Sequence, residues 1–576
     1  MERLSQTRLR VVVLAFGVLL VAPSMFSGFA LDDYILMYQA DRPRDGEWAG
    51  SAPFDLFRWM DPEHDRRLID GGGMPWWTYE RTTLAFMRPI TSLTHSFDHF
   101  VLGKSPVLSH LHSVLWFALL LGVAALAYAR LIEDRWVAGV ATAMFALDSA
   151  HGSAVGWISN RNAAIAGAFG VLTLLCHHAY RSGRGWSRAA LGWTCFALSL
   201  CSGELALGVP AYLFAYALCR DRGSLAARLG SLAPYLLLGA AWAYARSALG
   251  YGSFGLGAYV DPVREPLAFL AVLPLRFVVL VSSQFSRVAS DLYDLAPVTL
   301  RPALTLWSVA MVAVLGWFLL PSLRREASAR FWTLGAALSV VPLTATIPND
   351  RLLTLVGFGV MPALAYAMRA SWEALRTSAL SRSAALRSAC AVVVALVHLV
   401  IDPLLLPLVA LTPSFVANLA EASDASLPAD ASLTQRTLIV AAVPDSLMLS
   451  YLHVMRAHDG RPRPAKLYWL AATAEPVRFE RRAPNVLRVA ASGGLFDPRS
   501  EARSPRFALQ AGARVELSEV RIDVLERTPD GRPTLCDFVF DEPLESSRYV
   551  WRTWANGGMQ EFTPPAPGQS QRSEGG

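Results

Sequence analysis

Lysine is nearly missing from this chain. Lys104 and Lys466 are the only two in 576 residues, so its 52 basic residues are almost all arginine, a skew that points to a GC-rich genome more than to a function. Charge of either sign is scarce, at 17% of residues against 53% apolar, and the net +6 is too modest to signal a nucleic-acid partner. A soluble protein of this length cannot hide so much apolar surface behind a polar skin. The excess belongs against lipid. Cysteine is sparse too: Cys176, Cys195, Cys201, Cys219, Cys390 and Cys536 show no CxxC and no metal spacing, and read as small buried hydrophobes. No internal repeat is present, and no tetratricopeptide array follows the apolar region. No small-x-small cleavage site stands out before Leu31, so Arg3, Arg8 and Arg10 with the apolar run to Ala30 read as an uncleaved first helix.

What is present is a long series of apolar segments. Candidate spans, each near the roughly 20 residues a bilayer core requires, are 9–30, 106–130, 136–150, 156–179, 188–203, 205–219, 229–249, 302–320, 331–347, 352–369 and 388–411. Arginine placement orients them. The N-terminal arginines put that end in the cytoplasm, and every second connection then carries more: Arg130 and Arg135, then Arg181, Arg184 and Arg188, then Arg220, Arg222 and Arg228. The clusters at Arg324, Arg325 and Arg330 and at Arg369, Arg376, Arg382 and Arg387 fall on the same side only if 266–285 makes no net crossing. That segment holds Pro274 and Arg276 and ends in Ser282-Ser283-Gln284, as an interfacial or re-entrant helix would.

About eleven crossings follow, with the C-terminus outside. The expected fold is an all-α polytopic bundle over 1–412, a first external loop at 31–104, an external β-rich domain over 430–566, and a disordered tail at 567–576. The β reading rests on period-two or clustered apolar stretches at 437–443, 466–472, 486–491, 514–525 and 535–540, with Pro529-Asp-Gly-Arg-Pro533 as a turn. A small barrel or sandwich fits them.

Polar residues gather at the predicted external helix ends, where charge near a bilayer is costly unless used or paired. Asp32-Asp33 follows the first span; adjacent carboxylates point apart, so one can face a cavity while the other caps or orients, or the pair simply ends a helix at water. Asp148 and His151 share a face of one helical turn, ahead of Trp157-Ile-Ser-Asn-Arg161, and two such ligands are too few for a metal. Glu204 sits at an external turn. Arg351 could grip a phosphate bidentately or pair internally with Asp350, and Arg88 is a similar candidate. Transporter sites lie near the midplane, where the predicted helices carry almost no charge.

Together these motifs resemble the GT-C-type integral membrane glycosyltransferases, and most of all the repeat-bearing transmembrane O-mannosyltransferases and their bacterial relatives, over roughly residues 9–370. The matching segments are Asp32-Asp33; Arg88-Pro-Ile-Thr91 with His110 and His112; Asp148-Ser-Ala-His-Gly-Ser-Ala-Val155; Trp157 to Arg161; Glu204; and Asp350-Arg351-Leu352-Leu353 onward to Gly357. The chain departs from the family pattern at Asp148, Ser153 and Gly203, where histidine, glutamate and lysine are usual, and the β domain has no counterpart in the repeat-bearing relatives.

The resemblance implies transfer of a sugar from a polyprenyl-phosphate donor to an extracytoplasmic acceptor, with inversion, in a bacterial inner membrane. Asp32 or Asp33 would be the base. Arg351 and Arg88 would hold the donor phosphate, while Asp148, His151, Arg161, Glu204 and Asp350 would bind substrate. No metal ligand is assigned, and whether a divalent cation takes part is left open. The alternative is a non-catalytic membrane scaffold whose β domain binds a glycan or a protein; a third reading is a transporter or lipid-carrier flippase.

Overall fold

The structure, a computed structural model, describes residues 2–41, 48–377, 381–497 and 502–573. It has the expected class: a bundle of membrane helices followed by a β-rich C-terminal domain. Seven helices among the described residues are long and apolar enough to cross a membrane: Arg8–Phe26, Pro106–Leu131, Ile158–Arg181, Leu225–Ala248, Pro266–Ser286, Val298–Arg325 and Arg382–Ala425. Local chemistry sets their ends. Ser105 caps the helix Pro106–Leu131 by accepting from the Leu108 amide, with proline at the first helical position.

Several expected spans fall on shorter helices. Arg135–Ala146, Val209–Cys219 and Ala327–Val340 have 12, 11 and 14 residues, short of the roughly 20 a bilayer needs. The missing length is irregular backbone. Four 3-10 turns, Ile158–Arg161, Glu204–Gly208, Val341–Ala345 and Asp350–Leu352, stand at helix ends, and each contributes residues to one cavity. Non-helical backbone at membrane depth is tolerated where it lines such a space.

Pro266–Ser286 is one continuous 21-residue helix. Both of its ends are tied to the end of the bundle that carries the cavity. Glu265, just before it, pairs with Arg506 of the C-terminal domain. At the other end Ser283 donates to Asp350 at 2.6 Å and Arg287 pairs with Asp148.

The first loop contributes two strands of a three-stranded antiparallel sheet: β1 (Arg58–Met60), β2 (Thr83–Ala85) and β3 (Gly252–Phe254), the last from the segment after the helix ending at Ala248. The C-terminal domain is a sandwich. One sheet has the order β12-β11-β4-β5, from Gly558–Glu561, Tyr549–Ala555, Thr437–Val443 and Lys466–Ala472. The other has the order β13-β6-β7-β10-β9-β8, from Ser570–Arg572, Arg478–Ala483, Val486–Ala490, Pro533–Phe540, Val520–Arg527 and Arg514–Glu516. Strand β4 runs parallel to both β11 and β5 and is buried along its whole length, which is why it reads as an unbroken apolar run.

Two expectations need correction. The stretch 514–525 is a hairpin, not one strand: β8 folds back on β9 with Arg514 opposite Asp523. The tail expected to be disordered from 567 instead adds β13 to the edge of β6, Ser570 opposite Glu480, through backbone bonds that need no apolar side chain. Residues 574–576 lie outside the described residues.

The sandwich core also takes in side chains from the first loop. Trp76 and Trp77 are buried with Leu470, Phe496 and Phe538; the Trp76 indole donates to the Leu470 carbonyl at 3.3 Å, and Trp77 stacks on Phe496 at 4.9 Å. Loop 31–104 and the C-terminal domain therefore lie at the same end of the bundle.

Candidate active site between the helix bundle and the first loop

A cavity of about 620 Å³ opens at that end, within the about 300–1,000 Å³ range of small-molecule sites. Its wall carries Asp32, Arg88, Glu204 and Arg351, together with the aromatic residues Trp59, Phe86, Trp157, Trp242, Tyr251 and Tyr259. Four charged residues separated by up to 319 positions thus meet on one space.

The two aspartates divide. Asp33 is buried and its oxygens accept from the backbone amides of Ala30 at 2.9 Å and Ser159 at 2.7 Å. It fastens the Trp157–Arg161 turn to the start of the Asp32–Asp41 helix. Burial nonetheless pushes its carboxyl up to about 7. Asp32 lines the cavity and accepts from the Tyr451 hydroxyl at 2.7 Å. Burial raises its carboxyl above the usual range, opposed by the Tyr451 hydrogen bond and by Arg351 and Arg88.

The two arginines also differ. Arg88 forms a close pair with Glu204, 2.8 Å from Nε and 2.7 Å from Nη2, while its guanidinium lies over Phe86 and Phe57. The other Glu204 oxygen, Oε1, is buried with no partner among the described residues. Arg351 lies over the Trp157 ring, 4.8 Å from its centroid, and pairs with no carboxylate among the described residues. The pairing with Asp350 does not form. Asp350 instead accepts from Ser283 Oγ and from the Ser290 amide and hydroxyl, fixing the chain that follows the helix Pro266–Ser286.

Three further expected site residues stand behind the cavity rather than on it. Asp148 accepts from Gln284 and the Ala150 amide and pairs with Arg287, which also holds Asp402. His151 bonds the Phe145 carbonyl and packs between Phe145 and Phe117. Arg161 is wholly buried against Asp98 at 2.5 Å, with Ser113 and the Ser109 carbonyl as further partners. These are internal charge networks that join helices. Among the described residues no group of three or more His, Cys, Asp or Glu side chains could hold a metal ion. Of the cavity's three carboxylates, Glu204 and Asp261 are each paired with an arginine, a poor donor set for a divalent cation, and no step is assigned to one.

Known proteins can now be set beside this geometry. No family model matches the chain. The mouse protein O-mannosyl-transferase TMTC2 is 33% identical over 116 residues, which are 20% of this chain and 14% of that one. Among solved structures, the oligosaccharyltransferase of Archaeoglobus fulgidus tethered to an acceptor peptide is 12% identical, covering 80% of this chain and 64% of that one, with a TM-score of 0.37. ArnT from Cupriavidus metallidurans in the apo state is 13% identical, covering 79% and 88%, also at 0.37. At TM-scores of 0.37 these likenesses carry no argument, and the site stands on its own residues.

Sequence reasoning missed several of those. Tyr451 comes from the far end of the chain and carries no local signal. Arg246, paired with Asp261 at 3.0 Å on the cavity wall, could have been found: an arginine at an external helix end is an exception to the alternation that orients the spans. Asp98 sits between aromatic and histidine neighbours in Phe97-Asp98-His99, with nothing local to announce Arg161 as its partner.

Proposed function

We propose that this chain is a glycosyltransferase that moves a sugar from a polyprenyl-phosphate donor to an acceptor hydroxyl on the extracytoplasmic side of a bacterial inner membrane. The observation that carries the reading is the pairing of roles on one cavity. Among the described residues Asp32 has no cation bonded to it and Arg351 has no carboxylate. A base with an open lone pair and a cation with an open fork are what this displacement requires.

Asp32 accepts the proton of the acceptor hydroxyl as its oxygen attacks the anomeric carbon. The bond from that carbon to the phosphate oxygen breaks in the same step, and the electron pair leaves with the phosphate. Arg351 meets the growing charge there, where a planar fork is worth more than a point charge. One in-line displacement inverts the anomeric centre and needs no covalent enzyme intermediate. The Arg88–Glu204 pair lines the same cavity. Asp33 orients the base.

The sidedness belongs to the same proposal. With the N-terminus in the cytoplasm, loop 31–104 and the C-terminal domain are periplasmic, and about eleven crossings with a non-crossing 266–286 satisfy every arginine cluster. The decisive experiment is transfer by the purified, detergent-solubilised chain supplied with polyprenyl-phosphate sugars and a mixture of envelope acceptors. Release of free polyprenyl phosphate that depends on Asp32 supports the reading. Tight binding of donor with no turnover under any acceptor would turn it toward a scaffold.

A further inference from the structure

Parallel strands β4 and β5 need a crossover connection, and a helical one is usual. Here it consists of two short helices, Leu447–Ser450 and Leu452–His458, that meet at Tyr451. Its apolar residues divide: Met448, Leu449 and Leu452 enter the sandwich core, whereas Val454 and Met455 are buried in one cluster with Tyr34, Ile35, Met37 and Tyr38 of the Asp32–Asp41 helix. That packing sets Tyr451 beside Asp32, 419 positions away in the chain, with Oη donating to Oδ1 at 2.7 Å. Among the described residues Tyr451 is the sole hydrogen-bond donor to the Asp32 side chain.

We propose that the C-terminal domain supplies the positioning residue of the active site: Tyr451 holds the Asp32 carboxylate, so that the catalytic unit is built from both domains. The proposal rests on the reading of Asp32 as the base. With Oδ1 taken by the tyrosine, Oδ2 is the oxygen left for the acceptor's proton. A buried carboxylate without donors favours its neutral form. The charged groups that act on Asp32 are Arg351 and Arg88, which lower its proton affinity; Asp33 beside it has its own proton affinity raised by Asp32. Tyr451 exerts the strongest of the lowering influences.

The test is Tyr451→Phe in the full-length chain, which deletes one hydroxyl and keeps the ring. The acid limb of the kcat profile should move up by about one to two pH units, the size of a hydrogen bond to a charged group, while donor KM changes less than about twofold. In an Asp32→Asn background the same change should cost nothing more, because the two residues act as one unit. A second readout needs no turnover: a hydrophobic carbodiimide modifies protonated carboxyls, and mass spectrometry of Asp32 across pH gives a labelling midpoint. It should rise in Tyr451→Phe. A shifted midpoint in a chain that transfers no sugar would discard the base and keep the Tyr451–Asp32 link. Unmoved profile and midpoint, or a Tyr451→Phe chain that no longer folds, would overturn the positioning role.

Discussion

Asp33 accepts from two backbone amides, whereas Asp32 accepts from Tyr451 alone among the described residues and lines the cavity. Asparagine substitution should therefore separate them. Asp32→Asn keeps shape and removes basicity, so transfer should fall by about 100- to 10,000-fold while the chain folds and binds donor as before. Asp33→Asn points an amide NH₂ at a backbone N–H, and should cost about 1–3 kcal/mol of stability, seen as a lower thermal midpoint in detergent. Its proton affinity adds a sign. The folded carboxyl sits at about 7 against an ordinary 3.8, so the stability it contributes is full in acid and is lost as pH rises through that window; the asparagine variant should lack this slope. At Arg351, replacement by alanine should raise donor KM and lower kcat together, and lysine should restore only part, since the fork over Trp157 becomes a point charge. Isothermal donor binding alongside turnover distinguishes the two effects. Asp32, Arg88, Glu204 and Arg351 were legible in the sequence because each is a charge beside an apolar segment's end. Asp148, Asp350 and Arg161 look the same in one dimension, and only their partners, Arg287, Ser290 and Asp98, show them to be internal.

The helices were legible as apolar runs, but their unwound ends were not. Nothing in composition says that 204–208 or 341–345 turns as a 3-10 helix, because the apolar pattern continues through both. Among the strands, β4 and β5 stand where their apolar runs place them. Strand β6 hides in Arg478-Phe-Glu-Arg-Arg-Ala483, whose inward positions are Phe479 and Arg481, the latter neutralised by Glu545. Strand β13 has no apolar side chain to betray it. The helix Pro266–Ser286 is the element whose path matters most, since one extra crossing would reverse everything after it. With Glu265 and Arg287 both anchored at the cavity end, cysteines at Val263 and Leu292, which are 73% and 47% exposed, should react with a membrane-impermeant maleimide from the same side in sealed cells. Reaction from opposite sides would make the segment a true span and move the C-terminal domain across the membrane.

At the scale of the whole molecule, the two halves share a core. Trp77 is fully buried among residues of the sandwich, although it belongs to the first loop. Trp77→Ala should cost about 3–5 kcal/mol, as large-to-small changes in a core do, and the loss should register as faster proteolysis of the C-terminal domain with the membrane helices intact. Transfer should fall with it, since the crossover bearing Tyr451 loses its seat. The shared core also has a bearing on synthesis. Trp76 and the Leu470 carbonyl it bonds are 394 residues apart, which at about 5–20 residues per second is a wait of about 20–80 seconds on the ribosome. Throughout that interval the first loop carries two tryptophans with no core to enter. A nascent chain in that state offers chaperones and proteases a ready handle, and it loses that handle only when the last strands arrive. Chains cut short anywhere before the sandwich would keep both tryptophans exposed.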